Sequence, residues 1–230
     1  EKFFILRYAY KMDHRDIKIY PLHGWYADFE AVKNGFSFLD DDIDLTFLYA
    51  SARAYEQLSR KWYAALELKG KYSGTATQPY YNTRGLGYSR DYVRGYDREQ
   101  YAAQFCGGMF TDNSSCSVTE MLGSRFLLGN VELRFPLIRR FDLGVIPISL
   151  PPVDGLFFFD AGVAWNKGQS ISISRPENYS QDLQRYMLRS YGMGIRMNLF
   201  GYALLRADYA IPLDRGSRRG YWVLTLGPSF

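Results

Sequence analysis

Apolar and polar residues alternate with a period of two in several stretches of the chain. Four segments show it most clearly: FLLGNVELRFPL (126–137), LFFFDAGVAW (156–165), YGMGIRMNLF (191–200) and LLRADYAIPL (204–213). Because the side chains of a strand point alternately to opposite faces, each segment predicts a strand with one apolar and one charged face.

The same alternation, less regular, continues in the rest of the chain. It appears in KFFILRYAYKMD (2–13), HGWYADFEAV (23–32), DLTFLYASARAYEQL (44–58), KWYAALELKGKY (61–72) and YWVLTLGPSF (221–230). The pattern predicts an all-β chain of about nine strands. The fourth and fifth strands are separated by residues 74–123, far longer than an ordinary hairpin loop, which indicates a functional element.

The second face of nearly every predicted strand carries arginine, lysine, aspartate or glutamate. Aromatic residues stand near strand ends, as at Trp62, Trp165, Tyr202 and Trp222. An apolar band, aromatic girdles and a charged interior are typical of an antiparallel transmembrane β-barrel, the favoured architecture. A soluble barrel or sandwich, which also alternates, is the alternative.

The composition agrees with a single barrel domain over residues 1–230. Hydrophobic residues make up 47% of the chain and aromatic residues 17%, with 20 tyrosines. Mean hydropathy is −0.28, and no apolar run of about 18 residues predicts a transmembrane helix. The net charge of +4 comes from scattered basic residues, which argues against a nucleic-acid partner.

The two cysteines, Cys106 and Cys116, close the polar segment CGGMFTDNSSC. This spacing in a Gly- and Ser-rich loop predicts a disulfide formed in an oxidising compartment. Two free thiols are the alternative.

No motif in the chain predicts an enzyme. GxSxG, HExxH and P-loop sequences are absent, and GLGYSR does not have the spacing of a nucleophile elbow. The two histidines, His14 and His23, lie far from the cysteines, so no zinc site is expected. We expect neither a catalytic residue nor a metal nor a cofactor.

VRGY (93–96), GNVELRFPL, FFFDAGVAW, LRADYAIPL and the terminal LGPSF follow one another in this order. Together they resemble the C-terminal half of Omp85-superfamily barrels over roughly residues 91–230. The resemblance implies that this chain is the C-terminal portion of a sixteen-stranded outer-membrane barrel. A short relative that closes by pairing with another chain is the alternative.

In that family the sixth extracellular loop folds back into the barrel and places its arginine against carboxylates of the inner wall. The resemblance assigns this role to Arg94, with Gly95 and Tyr96 beside it and Glu132 and Asp160 as the wall residues. We call these five residues the loop lock. The alternation independently puts both carboxylates on the polar face, where a guanidinium could bind them bidentately. Ordinary hydrated luminal charges are the alternative for Glu132 and Asp160.

The last ten residues resemble the C-terminal signal by which outer-membrane barrels are recognised for assembly. Its residues would be Trp222, Leu224, Leu226, Gly227 and Phe230. The resemblance to BamA-like members also implies a lateral seam between the last and first strands, and Gly227 and the following proline, which weaken ladder pairing, agree with it. A chain end that frays like any terminus is the alternative.

The resemblance implies an outer-membrane location in a Gram-negative bacterium. The expected function is assembly and insertion of barrel proteins, as in the BamA and TamA type. A two-partner-secretion pore is the alternative. Expected partners are outer-membrane lipid and lipopolysaccharide, unfolded outer-membrane protein clients, and accessory assembly subunits or the remainder of the barrel chain.

Overall fold

The computed structural model describes eleven stretches of the chain. They are residues 4–36, 44–74, 84–86, 93–96, 121–139, 141–142, 149–176, 180, 183–199, 203–214 and 219–227. Fifteen strands, numbered in chain order, form within them. No helix in these stretches has the length and apolar character needed to cross a membrane.

Nine of the strands form one sheet. They are β1 (Ile5–Asp13), β2 (Gly24–Asn34), β3 (Leu45–Ser59), β4 (Trp62–Ser73), β7 (Arg125–Ile138), β10 (Val153–Trp165), β13 (Leu188–Leu199), β14 (Ala203–Pro212) and β15 (Tyr221–Gly227). Each is hydrogen-bonded to the next of these in chain order, and every pairing is antiparallel.

Six short strands form three separate pairs. They are β5 (Arg84–Gly85) with β6 (Leu122–Gly123), β8 (Phe141–Asp142) with β9 (Ser149–Leu150), and β11 (Ser170–Ser172) with β12 (Gln184–Tyr186). The first two pairs are antiparallel and the third is parallel.

The nine strands of the sheet coincide with the nine strands that the alternation predicts, so the all-β, antiparallel prediction is confirmed. The sheet is open, with β1 and β15 at its two edges. The described part of the chain is therefore a partial barrel.

The two faces of the sheet invert the pattern of an ordinary soluble protein. On one, the apolar face, large side chains are exposed: Leu66, Leu68, Leu127, Phe157, Phe159, Met193 and Leu224. On the other, the polar face, charged side chains are buried: Glu67, Lys69, Glu132, Arg134, Asp160, Arg196 and Asp208. Exposed apolar surface of this extent is suited to lipid. The alternation in residues 156–165 predicts Val163 on the apolar face with Phe157 and Phe159, but Val163 is buried, at 3% exposed.

The antiparallel order defines two ends of the sheet. At the turn end lie the β1–β2 turn (residues 14–23) and the last residues of β15. At the loop end the chain leaves β4 and returns at β7. Aromatic pairs stand near both ends of the apolar face. Trp62 contacts Phe135 near the turn end, with ring centroids 5.0 Å apart, and Tyr209 contacts Trp222 near the loop end at 5.4 Å.

Candidate functional site

Residues 93–96, which we call the loop arm, form a tight turn against the polar face. The Tyr96 amide donates a hydrogen bond to the Val93 carbonyl at 3.0 Å. Gly95 has φ +89°, a left-handed conformation that glycine adopts without strain. A β-carbon on Gly95 would lie 3.4 Å from Ala210 Cβ, so the arm rests closely on β14.

Arg94 binds both carboxylates of the loop lock. Its Nε and Nη2 donate to the two oxygens of Asp160, each at 2.7 Å, in a bidentate pair. Its Nη1 donates to Glu132 Oε1 at 2.7 Å. The Arg94 backbone amide also donates to Asp160 Oδ2 at 3.1 Å, so Asp160 fixes both the side chain and the backbone of the arm.

Both carboxylates come from the middle of neighbouring strands. Glu132 is opposite Phe158 in the register, and Asp160 is opposite Asn130, so the carboxylates are two residues apart along the sheet. Side chains two residues apart share a face, which lets one planar guanidinium reach both. Arg94 is 2% exposed, and Glu132 and Asp160 are 0% exposed.

Glu132 is shared with two further arginines of the polar face. Arg134 Nε donates to Glu132 Oε2 at 2.8 Å, and Arg196 Nη2 donates to Oε1 at 3.3 Å. Arg196 in turn binds both oxygens of Asp208, at 2.7 and 3.1 Å. We call these six residues the charge cluster: Arg94, Arg134, Arg196, Glu132, Asp160 and Asp208.

Positive and negative side chains are neighbours in the charge cluster, and their attraction offsets the large cost of removing these charges from water. Moving an isolated ion away from water costs several kcal/mol, whereas a hydrogen-bonded opposite charge offsets that cost. Burial works against the charged form of Arg94, yet the attraction of Asp160 and Glu132 raises the pKa of Arg94 well above its ordinary value. The arm therefore carries a permanent positive charge into the site.

An aromatic ring lies on the other side of the Arg94 guanidinium. Its Cζ is 3.8 Å from the centroid of the Phe158 ring, and Phe158 is buried. Gly192 is opposite Phe158 in the register, and a β-carbon there would lie 2.7 Å from Phe158 Cζ. The missing side chain of Gly192 leaves room for the ring that supports Arg94.

Tyr96 forms a second contact between the arm and the sheet. Its hydroxyl donates to the Arg189 carbonyl at 3.0 Å and accepts from the Asp214 amide at 3.1 Å. Arg189 Nε and Nη2 bind the Asp214 carboxylate at 3.0 and 2.6 Å. Since Asp214 is the second residue after β14, Tyr96 ties the arm to the start of β13 and to the connection that leads into β15.

Apolar residues cover the loop-end side of the arm. Val93 and Tyr96 belong to one buried cluster with Leu86, Met121, Phe126, Leu128, Ala164, Tyr186 and Leu188. A β-carbon on Gly162 would lie 2.9 Å from Val93 Cγ2. The arm is therefore buried by aliphatic packing on one side and by the charge cluster on the other.

The structure brings the five loop-lock residues together at one site. Of the predicted terminal signal, Trp222, Leu224 and Leu226 are exposed on the apolar face of β15, and Gly227 is its last residue. Phe230, Cys106 and Cys116 lie outside the described residues, so the disulfide stays a prediction.

Sequence reasoning did not single out Arg134, Arg196 and Asp208 as partners of the loop lock. The alternation placed all three on the polar face, which was the available signal. The contacts of Arg196 with Glu132 and with Asp208 depend on the register between strands, which period-two alternation alone does not give.

An open antiparallel sheet with a lipid-compatible outer face and buried charges on the other is the wall of an outer-membrane β-barrel. Residues 2–227 match the family model of the Omp85 superfamily domain, and the chain belongs to that superfamily. This membership implies an outer-membrane location.

One similar solved structure is BamA from Haemophilus ducreyi lacking POTRA domains 1–3, with a TM-score of 0.65 and 16% sequence identity. The alignment covers 97% of this chain and 42% of that one, so this chain spans less than half the length of the BamA structure. The likeness establishes a shared fold. A comparison with curated proteins finds no match.

Proposed function

We propose that this chain is the C-terminal barrel portion of a factor that assembles and inserts β-barrel proteins into the outer membrane, as BamA- and TamA-type proteins do. Family membership supports an insertion or translocation role in general. The observation that carries the proposal is the burial of Arg94 between Asp160 and Glu132. Breaking a buried ion pair of this kind is costly, so Arg94 holds the loop arm firmly against the polar face, which supports a working role for the loop rather than a passive pore.

The contacts of the arm suggest how the site would work. Arg94 joins the arm to β7 and β10, and Tyr96 joins it to β13 and to the connection after β14. Together with Gly95, which rests on β14, the arm thus contacts four neighbouring strands, and β15 is left at the edge of the sheet. An exposed strand edge offers unpaired backbone groups with which a client strand can pair.

The proposed partners follow from the two faces and the edge. The apolar face would contact outer-membrane lipid and lipopolysaccharide of a Gram-negative bacterium, and the edge would receive unfolded outer-membrane protein clients. Accessory assembly subunits or the remainder of the barrel would complete the machine. The role needs no cofactor and no enzymatic step.

The test is client insertion by the full-length protein in liposomes. A small unfolded outer-membrane barrel is added, and its folding is followed by heat-modifiable gel migration. We expect the wild-type protein to accelerate folding and Arg94→Ala to abolish most of the acceleration while its own barrel stays folded. Transport of a partner polypeptide into the vesicle lumen without client folding would contradict the proposal and support a secretion pore.

A further inference from the structure

The β1–β2 turn reaches the charge cluster from the end of the sheet opposite to the loop. β1 and β3 both run toward the turn end, and β4 runs back toward the loop end, from which residues 74–124 leave. The loop arm and the β1–β2 turn therefore approach the polar face from opposite ends. They are linked through two side chains, Arg134 and Glu132.

Arg134 is held by the turn on one side and by Glu132 on the other. Its Nη1 donates to the Pro21 carbonyl at 3.0 Å, and its Cζ lies 4.8 Å from the centroid of the Tyr20 ring. Its Nε donates to Glu132 Oε2 at 2.8 Å. Glu132 binds Arg94 through its other oxygen. A continuous series of hydrogen bonds thus connects Pro21 in the turn with Arg94 in the arm.

The turn has a defined shape that presents Tyr20 and Pro21 to the sheet. The Asp16 carboxylate accepts hydrogen bonds from the Ile17 and Leu22 amides at 2.8 and 3.1 Å. The Asp16 amide donates to the His23 carbonyl at 3.2 Å. Tyr20 and Pro21 are buried, whereas Ile17 in the same turn is 54% exposed.

We infer that Tyr20 and Pro21 are positioning residues of the loop lock, acting on Arg94 through Arg134 and Glu132. A guanidinium fixed by a carbonyl and an aromatic face presents its remaining N–H groups in one geometry. Arg134 released from the turn would no longer hold Glu132 in the orientation that Arg94 binds. The inference rests on the proposed loop lock but concerns the other end of the sheet.

The test is hydrogen–deuterium exchange at the Arg94 and Tyr96 amides of the full-length protein in liposomes. Exchange at these amides reports local opening of the arm. Tyr20→Ala should increase the exchange rates by about fivefold or more, the lower end of ordinary coupling between sites. Tyr20→Phe, which keeps the ring over Arg134, should exchange as the wild type does. Ile17→Ala is the matched control in the exposed part of the turn and should have no effect.

Repeating the Tyr20→Ala measurement in an Arg134→Gln protein distinguishes coupling between the turn and the arm from a general loosening of the sheet. If the turn acts through Arg134, adding Tyr20→Ala to Arg134→Gln should not increase the exchange rates at the Arg94 and Tyr96 amides any further. An increase as large as in the wild-type background would overturn the inference.

Tyr20→Leu replaces Tyr20→Ala if heat-modifiable migration shows that the alanine variant is unfolded. Unchanged exchange in the folded Tyr20 variants, with faster exchange in Arg94→Ala, refutes only the coupling. Unchanged exchange in Arg94→Ala refutes the loop lock itself.

Discussion

The Arg94 guanidinium lies directly over the Phe158 ring, with Cζ 3.8 Å from its centroid. The ring supports the guanidinium from one side, while Asp160 and Glu132 bind its edges. The ring and the two carboxylates therefore restrict two different motions of the guanidinium. The ring limits motion out of the plane, and the carboxylates fix rotation within it.

Replacing Phe158 should loosen the arm without disturbing the sheet. A desolvated cation–π contact contributes about 1–2 kcal/mol. We expect Phe158→Leu to speed exchange at the Arg94 amide by roughly five- to thirtyfold. Phe159→Leu is the matched control, because Phe159 is on the apolar face and 44% exposed. Equal effects of the two variants would show that general loosening of β10 is responsible.

Lysine should not replace arginine at position 94. Lysine keeps the positive charge but lacks the planar fork that binds Asp160 through two nitrogens and Glu132 through a third. We expect Arg94→Lys to lose most of the client-insertion activity while exchange at the arm rises less than in Arg94→Ala. Insertion at the wild-type rate by Arg94→Lys would mean that charge alone is sufficient.

A side chain at position 192 should displace the Phe158 ring, which supports Arg94 of the loop arm. A β-carbon on Gly192 would lie 2.0 Å from the Tyr209 carbonyl oxygen and 2.7 Å from Phe158 Cζ. Overpacking of this kind costs about 1–3 kcal/mol. We expect Gly192→Ala to lower the temperature at which heat-modifiable migration is lost. Gly70→Ala is the control, because the nearest atom to a β-carbon there is 3.7 Å away, and it should leave that temperature unchanged.

The Tyr96 hydroxyl should order the connection into β15. Tyr96→Phe removes one donated and one accepted hydrogen bond but keeps the buried ring, at a cost of about 1–3 kcal/mol. We expect faster exchange at the Asp214 amide, which loses its acceptor. Tyr191→Phe serves as the control on the exposed apolar face. No change at Asp214 in Tyr96→Phe would show that the Arg189–Asp214 ion pair holds this connection by itself.

The strands could be predicted from the sequence because a barrel wall demands alternation in every strand. The positions of Glu132 and Asp160 on the polar face followed from the same rule. The pairing of Arg94 with both came from the family resemblance, and the contacts are present in the structure, while their functional role stays a prediction. The contact between Arg134 and Pro21 could not be foreseen, because it depends on how a turn without alternation folds onto the sheet.

Exchange at the Arg94 and Tyr96 amides tests the central claim most directly. In the full-length wild-type protein in liposomes, both amides should exchange slowly, since Arg94 donates to Asp160 and Tyr96 to Val93. Arg94→Ala removes three side-chain hydrogen bonds and leaves two buried carboxylates without this partner, at a cost of about 3 kcal/mol. The account predicts roughly hundredfold faster exchange at both positions, with the amides of β7 unchanged. Wild-type exchange as fast as in an unstructured peptide would contradict it.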